Sequence, residues 1–146
     1  MLTLYFAPGS SSMAVHIALH EIGVAFDGRP MSFKNNDMRS PGYMALNPEG
    51  KVPTLVIDGR PLTEVAAILF YLAKRFPDAS LLPRDNIEAD AQALSWMSFA
   101  AATLHPARRR AVPGMIHYAA AHARQIQREP DTSGCRDTEK GRACNT

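Results

Sequence analysis

Apolar and polar positions along the chain fall into short segments of clear periodicity. Leu2-Thr3-Leu4-Tyr5-Phe6 is rich in β-favouring side chains and ends at Ala7-Pro8-Gly9, which predicts a short strand. Ser10-Ser11-Ser12 supplies candidate helix caps. Behind them Met13 and Ile17, and Ala14, Ala18 and Ile22, recur at helical spacing until Gly23 closes the helix. Residues 24–33 read as extended with a break at Pro30, and residues 35–47 as a polar loop holding at most one helical turn. Lys51 to Ile57 is the strongest strand signal. Asp58-Gly59 and then Arg60-Pro61-Leu62 turn it into a hairpin. Thr63-Glu64 stands ahead of the apolar run Val65 to Ala73, a mostly buried helix that runs to Phe76 and stops at Pro77.

A βαβ unit followed by ββα predicts an α/β, thioredoxin-like domain with a mixed four-stranded sheet over residues 1–78. Residues 79–86 read as a linker. Residues 87–128 read as a partial all-helical domain. Its first helix opens near Ile87 and carries Leu94, Trp96, Met97, Phe99 and Leu104 up to Pro106. A second, alanine-rich helix is expected from Met115 to Gln127, and residues 129–146 are polar and aperiodic, as a disordered tail would be.

Composition narrows the function classes. Hydrophobic residues make up 46% of the 146 and charged ones 21%, the balance of a soluble globular protein. No apolar stretch approaches the roughly 18–20 residues of a membrane span, and the N-terminus lacks the basic start of a secretory signal, so the expected location is cytoplasmic. A net charge of +2 is too small to argue for nucleic acid, and Arg108-Arg109-Arg110 reads as a solvated helix face. Cys135 and Cys144 match neither a Cys-x-x-Cys redox pair nor a zinc set and read as free thiols in the tail. No metal is expected, and the folded part must act without a cysteine of its own.

Three places carry chemistry, each beside a plainer reading. The serines after Pro8-Gly9 either cap the helix or hold a neighbouring anion at its positive N-terminal end. A serine hydroxyl bonded to a bound thiolate favours the ionised sulfur, each pKa unit being worth about 1.4 kcal/mol. Val52-Pro53 is either a simple strand entry or, if cis, a turn that leaves the Val52 backbone free to pair with an extended peptide ligand. At Thr63-Glu64-Val65, Thr63 either caps the helix, or the segment receives an amino-acid head group, carboxylate to the helix N–H groups and ammonium to Glu64.

Taken together, Tyr5-Phe6-Ala7-Pro8-Gly9-Ser10, His16-Ile17-Ala18-Leu19, Asn47-Pro48-Glu49-Gly50-Lys51-Val52-Pro53-Thr54-Leu55, Leu62-Thr63-Glu64 and Ile68-Leu69-Phe70-Tyr71-Leu72 resemble a cytosolic glutathione transferase of bacterial beta-like or theta-like type. The resemblance covers residues 1 to about 83. It implies a glutathione-binding domain followed by a helical one. Val52, before a cis Pro53, would pair with the cysteine of glutathione, Glu64 and the Val65 amide would hold the γ-glutamyl end, and Lys51 and Lys34 would lie near the glycine carboxylate. Ser10 matches the activating serine of serine-type members, Ser11 the cysteine position of beta-type members, and Ser12 comes third; the tyrosine of other classes would fall near Phe6. His105 matches a position lining the beta-type site or is a solvated helix-end histidine.

The second domain is short against the family's pattern of four or more helices, which should leave Trp96, Met97 and Phe99 uncovered. The expected activity is conjugation of the glutathione thiolate to an electrophilic small molecule, with glutathione as co-substrate and a homodimer as the family habit. The alternative is a non-catalytic glutathione-binding or protein-interaction module. Glutaredoxin-type exchange is disfavoured because the strand-to-helix turn holds serines.

Overall fold

The computed structural model describes residues 1–83 and 86–110. The helix expected from Met115 to Gln127, the tail with Cys135 and Cys144, and the side chains of Arg108 to Arg110 lie outside the described residues. The chain divides into a unit Met1–Pro106, described here, and a unit Ala107–Thr146.

Strand β1 (Leu2–Phe6) leads through helix α1 (Ser12–Ile22) to β2 (Asp27–Pro30), which pairs with β1 in parallel, Leu4 opposite Gly28. A 3₁₀ turn (Asp37–Arg39) and α2 (Pro41–Leu46) connect to β3 (Thr54–Ile57), antiparallel to β1 with Leu4 opposite Leu55. Strand β4 (Arg60–Thr63) closes the sheet, whose order is β2-β1-β3-β4, and α3 (Val65–Arg75) follows. The sheet is the mixed four-stranded one that the sequence predicts. Asp58 (φ 48°) and Gly59 (φ 84°) both take the left-handed conformation, which matches a hairpin turn to the twist of its strands. Pro61 lies on the edge strand, where a missing ladder donor costs least.

The core joins Leu4 and Leu55 from the sheet to Val15 and Leu19 of α1 and Ile68 and Leu72 of α3, all without solvent exposure. Strand side chains alternate between faces, so Leu4 turns toward α1 and α3 while Tyr5 turns the other way. There the Tyr5 ring meets Tyr43 of α2, centroids 5.3 Å apart. Helix α2 thus sets Tyr43 against the opposite face of the sheet.

Several expectations give way. Residues 35–47 form a 3₁₀ turn and a helix where the sequence suggested a loop, because Met38 and Tyr43 are buried. Helix α1 buries Ser12, Val15, Ala18 and Leu19, and Ile17 is exposed; the stripe read through Met13 and Ile17 is not the core face. Thr63 does not cap α3: it ends β4 opposite Thr54, and Glu64 takes the cap position. The strand after Lys51 begins only at Thr54.

Helix α4 (Ile87–Phe99) starts where expected, Asn86 accepting from the Ala89 N–H at 3.0 Å. It widens into a π-turn (Ala100–Leu104) and continues as α5 (His105–Arg110), so Pro106 does not end it. Proline cannot continue a regular ladder, and the π-turn just before it interrupts that ladder. Trp96 and Met97 are half-buried and Phe99 is buried; Ile87, Leu94 and Leu104 are the exposed apolar residues instead. The helical repeat turns the aromatic pair inward and these three outward. Among the described residues no helix is long and apolar enough to cross a membrane.

Candidate functional site

Tyr5, Thr54 and Thr63 sit side by side in three adjacent strands. Just beyond this row, at one end of the sheet, the chain runs into Ala7–Ser12 after β1, comes from Val52-Pro53 before β3, and passes to Glu64 after β4. The row places together three of the segments that the sequence singles out. Adjacent strands lie about 4.8 Å apart, so the span from the β1 side to the β4 side is about 10 Å, the length of three extended residues.

The Val52–Pro53 peptide bond is cis. Neither the N–H nor the C=O of Val52 has a hydrogen-bond partner among the described residues. A buried chain of hydrogen bonds holds the preceding residue. Asn47 Nδ2 donates to Thr54 Oγ1 (3.2 Å) and to the Lys51 carbonyl (2.8 Å). The Tyr43 hydroxyl also donates to that carbonyl, and therefore accepts from the Thr54 hydroxyl at 2.9 Å. Burial pushes the Tyr43 hydroxyl pKa above its ordinary value, and its bonds to Thr54 and Asn47 only partly offset this. Asn47 Oδ1 accepts from the Glu49 N–H, and the Asn47 carbonyl from Gly50. Sequence reasoning missed Tyr43, and took Asn47 only as part of a motif. Their roles depend on partners up to 11 residues away.

At the β4 side, Glu64 adopts a left-handed φ of 69°, rare for a residue with a Cβ. Its carbonyl accepts the first helical bond, from Ile68 at 3.0 Å. The side chain is exposed and caps nothing, and the first N–H groups of α3, beginning with Val65, have no intrahelical acceptor.

On the β1 side the three serines differ. Buried Ser12 accepts from the Ala7 N–H at 2.9 Å and lies 2.6 Å from the Ser10 hydroxyl. Ser10 donates to the Ala7 carbonyl at 2.8 Å and accepts from the Ser12 N–H at 3.2 Å. These two hydroxyls brace the turn. Ser11 holds the cap position of α1, is half-buried, and its hydroxyl has no partner among the described residues.

Lys51 is exposed and pairs with Glu49 at 2.8 Å. Exposed Lys34 follows β2, whose partner β1 ends at the same side of the sheet. Arg39, which sequence reasoning did not consider, lies over the Glu49-Gly50 turn. His105 is half-buried beyond the π-turn, and no described contact joins it to the other candidates. No cluster of three or more metal-ligating side chains occurs among the described residues.

Residues 1–74 match the model of the glutathione S-transferase N-terminal domain family. The chain is similar to glutathione S-transferase GstA of Escherichia coli, 37% identical over 71% of this chain and 53% of the relative. It is also similar to a maleylacetoacetate isomerase of Rhizobium meliloti, 36% identical over 82% of this chain and 56% of the relative. A solved glutathione transferase homolog from Sulfitobacter with bound glutathione superposes with a TM-score of 0.70 at 36% identity, over 86% of this chain and 64% of that one. The chain spans about half the length of the curated relatives it matches.

Proposed function

The chain belongs to the glutathione S-transferase family, and from that premise we propose that it binds glutathione along the sheet end and activates its thiol for transfer to an electrophilic small molecule. The observation that carries this reading is the Val52 backbone, without a partner among the described residues, fixed from behind by the Tyr43–Thr54–Asn47 hydrogen bonds and flanked by the Ser10–Ser12 turn and the start of α3. A tripeptide thiol matches the span. Its central residue pairs with Val52, and its γ-glutamyl carboxylate meets the Val65 N–H while the ammonium meets Glu64. The glycine carboxylate lies toward Lys51 and Lys34. A Sulfitobacter homolog with bound glutathione supports the ligand.

The thiolate then lies at the start of α1. Ser10, the first choice from sequence, has its hydroxyl committed to the Ala7 carbonyl and Ser12. Ser11 has an uncommitted hydroxyl at the helix end, and we assign the thiolate contact to it, with Ser10 and Ser12 holding the turn. Catalysis rests on thiolate stabilisation and positioning. Similarity to a maleylacetoacetate isomerase supports glutathione-dependent isomerisation as a second reading at the same site. A homodimer belongs to the same proposal and is read by sedimentation equilibrium.

A titration with glutathione, followed by ultraviolet absorbance of bound thiolate near neutral pH, tests the reading. Saturable binding with a thiolate signal that Ser11→Ala removes, binding being kept, is the expected result. Binding without thiolate leaves a recognition module, and no binding refutes the proposal.

A further inference from the structure

Outside this site, α1 carries two histidines one turn apart. His16 and His20 stand at i and i+4 on the same helix face, their ring centroids 4.7 Å apart. No described hydrogen bond involves any of their four ring nitrogens. The rings are held instead by aromatic neighbours: His16 against Phe6 at 4.5 Å and Phe26 at 5.7 Å, His20 against Phe26 at 5.3 Å. His16 is half-buried and His20 exposed, so solvent reaches the pair.

We propose that His16 and His20 form a two-imidazole chelate for a divalent copper or nickel ion at the solvent-accessible edge of α1. A metal–nitrogen bond of about 2.0–2.1 Å puts each ring centre about 3.2 Å from the ion, so rings bound at a right angle have centres about 4.5 Å apart and tetrahedral ones about 5.2 Å. The observed 4.7 Å lies near the right-angle value. Adjacent positions at about 90° belong to the square-planar and tetragonal nitrogen–oxygen geometries of copper and nickel, and imidazole suits both ions. The planes now meet at 60°, edge toward face. Convergence of two nitrogen lone pairs needs a turn about χ2, a broad torsion for histidine. Packing by Phe6 and Phe26 has already restricted the side chains, which lowers the ordering cost of chelation. With no third ligand in a described cluster, water completes the coordination. The ion ties two successive turns of α1 together.

Nickel chloride alone is the probe, titrated calorimetrically into the full chain. Wild type is expected to bind one ion at this pair, with His20→Gln and His16→Gln each weakening that event about tenfold or more. His16 touches the core side of the helix, so a second variant guards against misfolding. H20E combined with E21H keeps the number of histidines and alters only exposed positions, yet destroys the i, i+4 spacing. It is expected to lose the same binding event and the nickel-induced rise in Tm expected of wild type. Retention of nickel affinity within about twofold in the H20E/E21H or the H20Q chain overturns the proposal.

Discussion

At the residue scale the site depends on atoms that touch no ligand. The Lys51 carbonyl accepts from both Tyr43 and Asn47, and it is the last group before the unpartnered Val52. Burial raises the Tyr43 pKa, so the neutral hydroxyl is the form the fold favours. A raised folded-state value means this contribution is complete below the unfolded pKa near 10 and is lost as pH rises through the higher folded value. Wild type should therefore lose Tm more steeply than Tyr43→Phe as pH rises above about 10. Parallel thermal melts across that range check it, and superimposable curves refute it. Gly50 gives a second prediction. It sits at φ 60°, and a Cβ there would meet Arg39 Nη1 at 2.8 Å and the Met38 carbonyl at 2.9 Å. Gly50→Ala should cost about 1–3 kcal/mol in urea unfolding and weaken glutathione binding, because the turn leads into Val52. Val52 and Glu64 stand out as candidates in the sequence because their signals are local: a proline after one and a helix start after the other. Tyr43 was not, since nothing near it marks a hydroxyl aimed at a carbonyl eight residues on. Neither was the split among three adjacent serines, which depends on how the backbone turns at Ala7.

At the scale of elements, local chemistry also decides what could be read. The Asp58-Gly59 hairpin and the Gly23 helix end are set by left-handed residues and stand where the sequence puts them. Helix α2 escaped because Pro41 to Leu46 is short and weakly patterned; Tyr43 burying against Tyr5 is a tertiary effect. The join of α3 to α4 is subtler still. Lys74 of α3 pairs with Asp90 of α4, whose other carboxylate oxygen is buried without a partner. Lys74→Met leaves that carboxylate wholly unpaired and should cost about 1–3 kcal/mol. Asp90→Ala removes the pair together with the orphaned oxygen, and should cost about 1 kcal/mol or less. Urea midpoints of the two single variants check the asymmetry, which disappears if the pair contributes nothing.

For the molecule as a whole, the core and the proposed ligand contacts are drawn from nearly the same stretch of chain. Every member of the core cluster, including the partly buried side chains packed on it, lies before Pro77. All candidate ligand contacts except His105 lie between Ser10 and Val65, within the family match of residues 1–74. A chain ended after Pro83 should thus fold and keep its glutathione Kd within about threefold. At a hundredfold excess over Kd, glutathione should stabilise it by about 2.7 kcal/mol, seen as a rise in Tm. Transfer to an electrophile should fall much further than binding, because nothing remains of α4 to help enclose a second substrate. If the shortened chain instead binds glutathione more than tenfold weaker while staying folded, His105 or its neighbours reach the ligand, and the division between a recognising sheet end and an enclosing helical part fails. The discriminating quantity is the ratio of the two Kd values, since a loss of activity alone follows from either arrangement.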